Sequence, residues 1–290
     1  MTLLKTQTDS VAAEKVEGPK VNDLFKPIEE VEEGQGIKAL IYGQPECGKS
    51  FFGMSFPGPI YAISTETGLK KIKHHFPDKE IHLLEATSPF ATASAEQLKK
   101  NDNDEPFIQN PLESLEKIEA ATMALKDVKG GTIIIDSISD VWNWLQIWLK
   151  YAGKRSTSKQ TGAEFMMQTE WQRVNEKFRW LMMRLNMIPC HVVLTSRVKP
   201  EYDGDGKKIV GAENVKSAGD QAYFVDFVIH VNKIAKPKPG NPNDILIKRM
   251  ATIEKCRQQS MSGVQIEDIT FDKLKAIFAE KGLENLFEIK

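Results

Sequence analysis

The chain has 290 residues, of which 41% are hydrophobic and 27% are charged. That length and composition allow a sizeable buried core, and they exclude a fibrous repeat, a mainly disordered chain and a small disulfide-stabilised protein. The 39 basic and 40 acidic residues give a net charge of −1. A nucleic-acid partner would therefore have to be bound by local basic patches, because the overall charge of the protein would not attract it.

Cysteine usage and hydropathy indicate the compartment. The three cysteines, Cys47, Cys190 and Cys256, are odd in number and lack CxxC spacing, which is typical of a reducing environment. No apolar run approaches the roughly 20 residues that span a bilayer, and the N-terminal residues lack the apolar segment of a signal peptide. We therefore expect a soluble, cytoplasmic protein that does not bind a membrane.

The first 35 residues are the least core-like part of the chain. They carry eight acidic and four basic residues, and we interpret them as an acidic, flexible N-terminal arm. The remaining residues, 36–290, are predicted to form one domain.

From Ile37 onward, short apolar runs alternate with longer amphipathic segments. Strands separated by helices and rich in Val and Ile predict an α/β fold with a mainly parallel sheet flanked by helices on both faces. No long helix separates the last two strands, so the Pro-, Gly- and Asn-rich stretch 236–243 predicts a C-terminal antiparallel hairpin. The predicted strands are Ile37–Tyr42, Ile60–Ser64, Ile81–Leu84, Thr132–Asp136, His191–Ser196, Phe224–Val231 and Ile245–Cys256. The predicted helices begin at Lys49 and Leu69 and cover Leu112–Lys126, Ile138–Tyr151, Glu164–Asn186 and Asp272–Glu280.

The strongest motif is a glycine-rich loop that directly follows the first predicted strand. Glycines allow the backbone of such a loop to fold so that its N–H groups point inward at phosphate oxygens. Lys49 is predicted to reach the β- and γ-phosphates of ATP, and Ser50 to bind Mg²⁺. We interpret Cys47, in a variable position, as a small loop residue rather than a redox switch. The loop, residues 43–50, fits the pattern G-x-x-x-x-G-K-[ST]. The residues predicted to contact the nucleotide are Gly43, Gln44, Pro45, Glu46, Cys47, Gly48, Lys49, Ser50 and Phe51.

Two acidic residues follow predicted strands. Asp136 ends an apolar run and is predicted to be the second Mg²⁺ ligand. Ser137, not Glu, comes next, so the catalytic base must lie elsewhere. Glu66 lies just past the strand Ile60–Ser64, and parallel strands end at one edge of a sheet, so Glu66 is predicted to activate the attacking water. The alternative is that Glu66 only complements a helix dipole.

Four segments of the chain resemble the motifs of a RecA-core ATPase. They are GQPECGKS, ISTE, TIIIDS and HVVLTSR. More narrowly, residues 37–275 resemble phage-encoded AAA-family ATPases, which are shortened RecA-like recombination proteins. The resemblance implies a Mg²⁺-dependent ATPase that binds single-stranded DNA and assembles as a ring or filament in the bacterial host cytoplasm. It also implies a phage single-strand-binding or annealing protein as a partner.

The resemblance further implies roles for residues outside the glycine-rich loop. Ser196 matches the polar residue that senses the γ-phosphate, with Arg197 as the alternative. Lys255 and Arg257 match a basic pair that RecA-core assemblies place against the γ-phosphate of a neighbouring subunit, where an arginine stabilises the transition state. The alternative for this pair is a solvated basic strand end.

Two loops, residues 150–162 and 199–222, are candidate DNA-binding surfaces. The first carries four basic residues and no acid, which suits a phosphate backbone. The second has the sequence of a hairpin tip at 203–208, but its basic and acidic residues nearly cancel, so the first is the better candidate. Ordinary solvated loops are the alternative. The residues predicted to contact single-stranded DNA are Lys154, Arg155, Lys159, Lys207 and Lys208.

Three other functions remain open on the sequence alone. A helicase or packaging-type motor would share the glycine-rich loop, although the chain is short for extra motor domains. A nucleotide kinase would transfer phosphate to a small acceptor, but no arginine-rich lid follows Asp136. A binding module would hold the nucleotide without turnover.

Overall fold

The computed structural model of the protein describes residues 36–86, 105–152, 156–157, 164–165, 168–238 and 241–289. The predicted acidic arm lies outside the described residues, and so do Lys154, Arg155 and Lys159 of the first predicted DNA loop. The division into arm and domain therefore stays a prediction.

An eight-stranded sheet forms the centre of the fold. The strands are β1 (Lys38–Gly43), β2 (Ile60–Ser64), β3 (Ile81–Glu85), β4 (Thr132–Asp136), β5 (Ser156–Thr157), β6 (Glu164–Phe165), β7 (His191–Ser196), β8 (Val198–Tyr202), β9 (Lys208–Val215), β10 (Phe227–Lys238), β11 (Asn241–Cys256) and β12 (Gln265–Glu267). The order in the sheet is β12-β11-β10-β1-β7-β4-β2-β3. Strands β1, β2, β3, β4, β7 and β10 run parallel, while β11 and β12 run antiparallel to their neighbours. The predicted mainly parallel sheet with a C-terminal antiparallel hairpin is therefore confirmed. β5 pairs with β6 and β8 with β9 as separate short hairpins.

Helices cover both faces of this sheet. They are α1 (Lys49–Ser55), α2 (Gly68–Ile72), α3 (Glu105–Ala124), α4 (Ile138–Ala152), α5 (Gln168–Met187) and α6 (Phe271–Ala279). One core contains Ile41 of β1 with Phe52 of α1 and Phe278 of α6. The other contains Leu40 of β1 with side chains of α3, α4 and α5. Successive residues of β1 thus enter opposite cores, as the alternation of side chains along a strand requires.

The carboxyl ends of the parallel strands define one edge of the sheet. Strands β1, β2, β4 and β7 end there at Gly43, Ser64, Asp136 and Ser196, and we call this the carboxyl edge. In the described part of the chain, no helix is long and apolar enough to cross a membrane.

The antiparallel strand β11 approaches the carboxyl edge with its middle rather than its end. Gly43 pairs with Val231 of β10, and Val231 pairs with Ala251 of β11. Further along β11, Lys255 pairs with Val228, which is level with Leu40 near the start of β1. The last residues of β11 therefore lie at the opposite edge of the sheet.

Candidate active site

The glycine-rich loop, Gly43–Ser50, connects β1 to α1 at the carboxyl edge. Gly48 has a φ of 97° and Glu46 a φ of 59°, so two residues of the loop adopt left-handed backbone conformations. At Gly43 a Cβ atom would overlap the carbonyl oxygen of Val231, so a side chain cannot be placed there. The loop folds tightly against β10, as its glycines predict.

Lys49 is held inside this loop by backbone carbonyl groups. Its Nζ donates hydrogen bonds to the carbonyl oxygens of Gly43 at 2.9 Å and Gln44 at 2.8 Å. Within the described ranges, no carboxylate forms an ion pair with Lys49. A cation without an acidic partner is suited to a polyphosphate, whose oxygens make charge-assisted hydrogen bonds.

Ser50 and Asp136, predicted to act together on Mg²⁺, lie side by side. The Ser50 hydroxyl donates a hydrogen bond of 2.6 Å to Asp136 Oδ2, and the Thr195 hydroxyl donates to Oδ1. Burial raises the pKa of the Asp136 carboxyl and nearby Glu66 adds to the rise, whereas the two hydroxyl hydrogen bonds and Lys49 oppose it. Thr195 was not predicted, because the resemblance pointed to the adjacent Ser196.

This pair of oxygens fits a Mg²⁺–nucleotide complex. Mg²⁺ prefers hard oxygen ligands and is commonly held by one or two protein side chains together with substrate phosphates. Ser50 and Asp136 would hold the ion, and the ion would supply positive charge to the phosphate oxygens.

Glu66 lies at the carboxyl edge, but it is bound to Arg197. Arg197 Nη2 is 2.6 Å from Glu66 Oε1 and 2.9 Å from Asp140 Oδ2, and its Nη1 is 2.9 Å from Asp140 Oδ1. Partial burial would lower the pKa of Arg197, but the hydrogen bonds and charges of these two carboxylates raise it. Asp140, in the first turn of α4, was not predicted; it anchors Arg197 through both of its oxygens.

Side-chain hydroxyl groups form a network of hydrogen bonds beside these charged groups. Thr65 donates to Asp140 Oδ2 at 2.8 Å, and the Ser137 hydroxyl lies 3.1 Å from the same oxygen. Ser196 is fully buried, with its hydroxyl 2.9 Å from that of Ser139. Ser196 therefore does not open onto the loop, and its side chain can act on the site only through these neighbours.

Lys255 and Arg257 do not approach the glycine-rich loop of their own chain. Lys255 donates to the carbonyl oxygens of Ala222 and Val225, and Arg257 forms a 2.7 Å ion pair with Asp226. They lie at the amino edge of the sheet because β11 runs antiparallel to β1. Their action on the nucleotide of a neighbouring subunit stays a prediction.

The predicted hairpin tip in the second DNA loop is present between β8 and β9. Asp203 Oδ1 accepts hydrogen bonds from the backbone N–H groups of Asp205 at 3.0 Å and Lys207 at 2.8 Å, which closes the turn. Lys207 and Lys208 are exposed at this tip. At the base of the hairpin, Glu213 of β9 accepts a hydrogen bond from the side chain of Gln44.

A cavity of about 610 Å³ opens beside the glycine-rich loop. Cys47, Lys49 and Ser50 line it on one side, and the predicted contact Phe51 lines it as well. Arg249 of β11 also lines it and was not predicted. Glu46, at the rim, forms a 2.8 Å ion pair with Lys233 of β10.

No curated protein matches this chain. Among solved structures, it is similar to a KaiC-like protein from the hyperthermophilic archaeon Pyrococcus horikoshii, with 15% sequence identity and a TM-score of 0.40, over 80% of this chain and 85% of that one. The family model described as AAA domain matches residues 35–258. This match spans the glycine-rich loop, Asp136 and Arg197, and the chain belongs to the AAA domain family.

Proposed function

We propose that the protein is a Mg²⁺-dependent ATPase with a RecA-type core. The observation that supports this most strongly is the 2.6 Å contact between Ser50 and Asp136 beside a lysine that has no acidic partner within the described residues. An ammonium group, loop amides and two oxygen ligands at one point are the groups that bind a nucleoside triphosphate and its ion.

Hydrolysis also requires a group that can accept a proton from water. Glu66 follows β2, the strand that pairs with β4, and Ser64 is directly opposite Asp136. The Glu66 side chain is 46% exposed, so water can reach it. We assign the role of general base to Glu66 and the role of positioning it to Arg197, since a base must be oriented within hydrogen-bond reach of the proton that it takes.

Glu66→Gln tests this assignment. The variant should bind ATP as the wild type does and lose turnover by roughly 100-fold or more, measured as phosphate release at saturating ATP. Glu85→Gln is the matched control, because Glu85 is opposite Ser64 on the other neighbouring strand and forms a 2.6 Å ion pair with Lys70. Unchanged turnover in Glu66→Gln, or an equal loss in Glu85→Gln, would exclude Glu66 as the base.

Lys49→Ala tests nucleotide binding itself. Loss of the ammonium group should abolish measurable ATP affinity, because Lys49 is the cation that the loop holds for the β- and γ-phosphates. Normal ATP binding by this variant would contradict the proposed site as a whole.

We further propose that the ATPase binds single-stranded DNA through the β8–β9 hairpin, in phage recombination or replication. Lys207 and Lys208 are exposed at its tip, and Tyr202 is 61% exposed, which suits base stacking. The hairpin begins directly after Arg197 and is bonded to Gln44 through Glu213. The hairpin is thus joined to Arg197 through the chain and to the glycine-rich loop through Gln44, which supports a coupling between DNA binding and hydrolysis in this proposal.

Turnover with and without single-stranded DNA, across a range of protein concentrations, distinguishes this proposal from the alternatives. Stimulation by DNA with a steep concentration dependence supports a DNA-bound ring or filament. Turnover that needs a small phosphate acceptor would indicate a kinase. ATP binding without turnover under any condition would indicate a binding module.

A further inference from the structure

Arg249 lies beside the glycine-rich loop although it is more than 200 positions away in sequence. Its strand, β11, pairs with β10, which in turn pairs with β1. The ladder places Ala251 opposite Val231, and Val231 opposite Gly43. Arg249, two positions before Ala251, therefore lies beyond the end of β1 and beside the loop.

The Arg249 side chain lies close to Gly48. The Arg249 Cδ atom lies 3.0 Å, and its Nε atom 3.5 Å, from the position that a Cβ atom on Gly48 would occupy. Arg249 also lines the same cavity as Lys49 and Ser50. Its guanidinium stem therefore runs across the loop at the glycine before the lysine.

Three other cations near the carboxyl edge are already neutralised. Lys233 pairs with Glu46, Lys248 pairs with Glu267 at 2.7 Å, and Arg197 binds two carboxylates. Within the described residues, no carboxylate lies within ion-pair distance of the Arg249 guanidinium. Glu46 and Asp268 also line this cavity, but Glu46 is paired with Lys233 and neither acid forms an ion pair with Arg249. The exposed Arg249 guanidinium is therefore available to an anionic ligand.

We propose that Arg249 binds the α- and β-phosphates of the nucleotide held by the same subunit. This inference rests on the proposed nucleotide site. The amides around Gly48 belong to the part of such a loop that cradles the α- and β-phosphates, whereas the lysine reaches the β- and γ-phosphates. A planar guanidinium presents paired N–H groups that match two phosphate oxygens. Arg249 thus supplies a second fixed cation at the end of the triphosphate that Lys49 does not reach.

The test is the affinity of Arg249→Ala for ATP, ADP and inorganic pyrophosphate, measured by calorimetry at fixed ionic strength. All three affinities should fall by the same factor, about 10- to 100-fold, which is the usual effect of losing a charged hydrogen-bond donor. Arg249→Lys should recover part of this loss, because it restores the charge without the fork. Lys248→Ala is the matched control: it removes the neighbouring cation, whose partner is Glu267, and should leave the three affinities unchanged.

Several outcomes would overturn the inference. A loss for ATP and ADP with unchanged pyrophosphate affinity would mean that Arg249 contacts the base. A loss for ATP alone would place it at the γ-phosphate. Equal affinities in Arg249→Ala and Lys248→Ala would show that it contacts no ligand. Failure of the proposed function is a separate result, because then the wild-type protein would not bind ATP or Lys49→Ala would bind it normally.

Discussion

Replacing Arg197 with alanine should separate a stabilising contact from a catalytic one. Arg197 makes a two-point contact with Asp140, with both N–O distances at 2.9 Å, and a one-point contact with Glu66 at 2.6 Å. The Asp140 side chain is 14% exposed, whereas that of Glu66 is 46% exposed. The two carboxylates therefore differ in how strongly water screens them from the same guanidinium.

The magnitude follows from that difference. A hydrogen bond to a buried charged group contributes about 1.5–3 kcal/mol, and this must be reduced because Arg197 is itself 43% exposed. We expect Arg197→Ala to lower the free energy of unfolding by about 1–2 kcal/mol, chiefly through Asp140. For a domain of this size that corresponds to a fall of roughly 2–8 °C in Tm. The exposed pair with Glu66 should contribute about 0.5 kcal/mol or less.

Double-mutant cycles measured by urea unfolding test this reasoning. The cycle of Arg197→Ala with Asp140→Asn should give a coupling energy of about 1 kcal/mol or more, and the cycle with Glu66→Gln about 0.5 kcal/mol or less. ATP turnover should nevertheless be lost in Glu66→Gln, whose stability is nearly that of the wild type. A larger coupling to Glu66 than to Asp140 would refute the assignment of Asp140 as the anchor.

Three further predictions concern the proposed metal ligand, the proposed DNA surface and the opposite edge of the sheet. Burial raises the folded-state pKa of Asp136 above its unfolded value, so this carboxyl favours folding most at low pH and less as the pH rises. At pH 7 the Tm of Asp136→Asn should therefore be no lower than that of the wild type, and Mg²⁺–ATP should no longer raise it. A much lower Tm would contradict this. Replacing Lys207 and Lys208 together with alanine should weaken single-stranded DNA binding and reduce the slope of log K against log salt by roughly 1.4; an unchanged slope would show that neither contacts phosphate. Burial lowers the pKa of His191 to about 4 from 6.5, so stability should fall by up to about 3 kcal/mol as the pH drops from 6.5 to 4. His191→Gln should flatten that urea-unfolding profile, whereas His82→Gln, at an exposed histidine, should not.

The buried parallel strands could be predicted closely from the sequence. The bounds of β2, β4 and β7 are those predicted, because strands buried on both faces appear as uninterrupted apolar runs between polar or turn residues. Since parallel strands end at one edge, the proximity of Ser50 and Asp136 follows from those bounds. The edge strand β12 and the strands of the β8–β9 hairpin were not predicted, because their sequences are short or polar.

Residues whose position depends on register could not be predicted in this way. Thr195 reaches Asp136, and Ser196 does not, because Leu194 is paired with Ile135 and the next residue on β7 comes level with Asp136. Asp140 meets a partner 57 positions away, and its sequence context is that of an ordinary helix start. The antiparallel register of β11 on β10, with its shift between Pro237 and Lys238, determines which basic residue of that strand meets the loop.

The position of β1 inside the sheet determines how bound nucleotide would affect the rest of the domain. All six residues of β1 are buried, and β7 and β10 bond to it from both sides. Amide protons in such a strand exchange with solvent only when the entire domain opens. A ligand bound to the loop that follows β1 would therefore slow proton exchange throughout both cores together. The slowing factor would be about the ligand concentration divided by its dissociation constant.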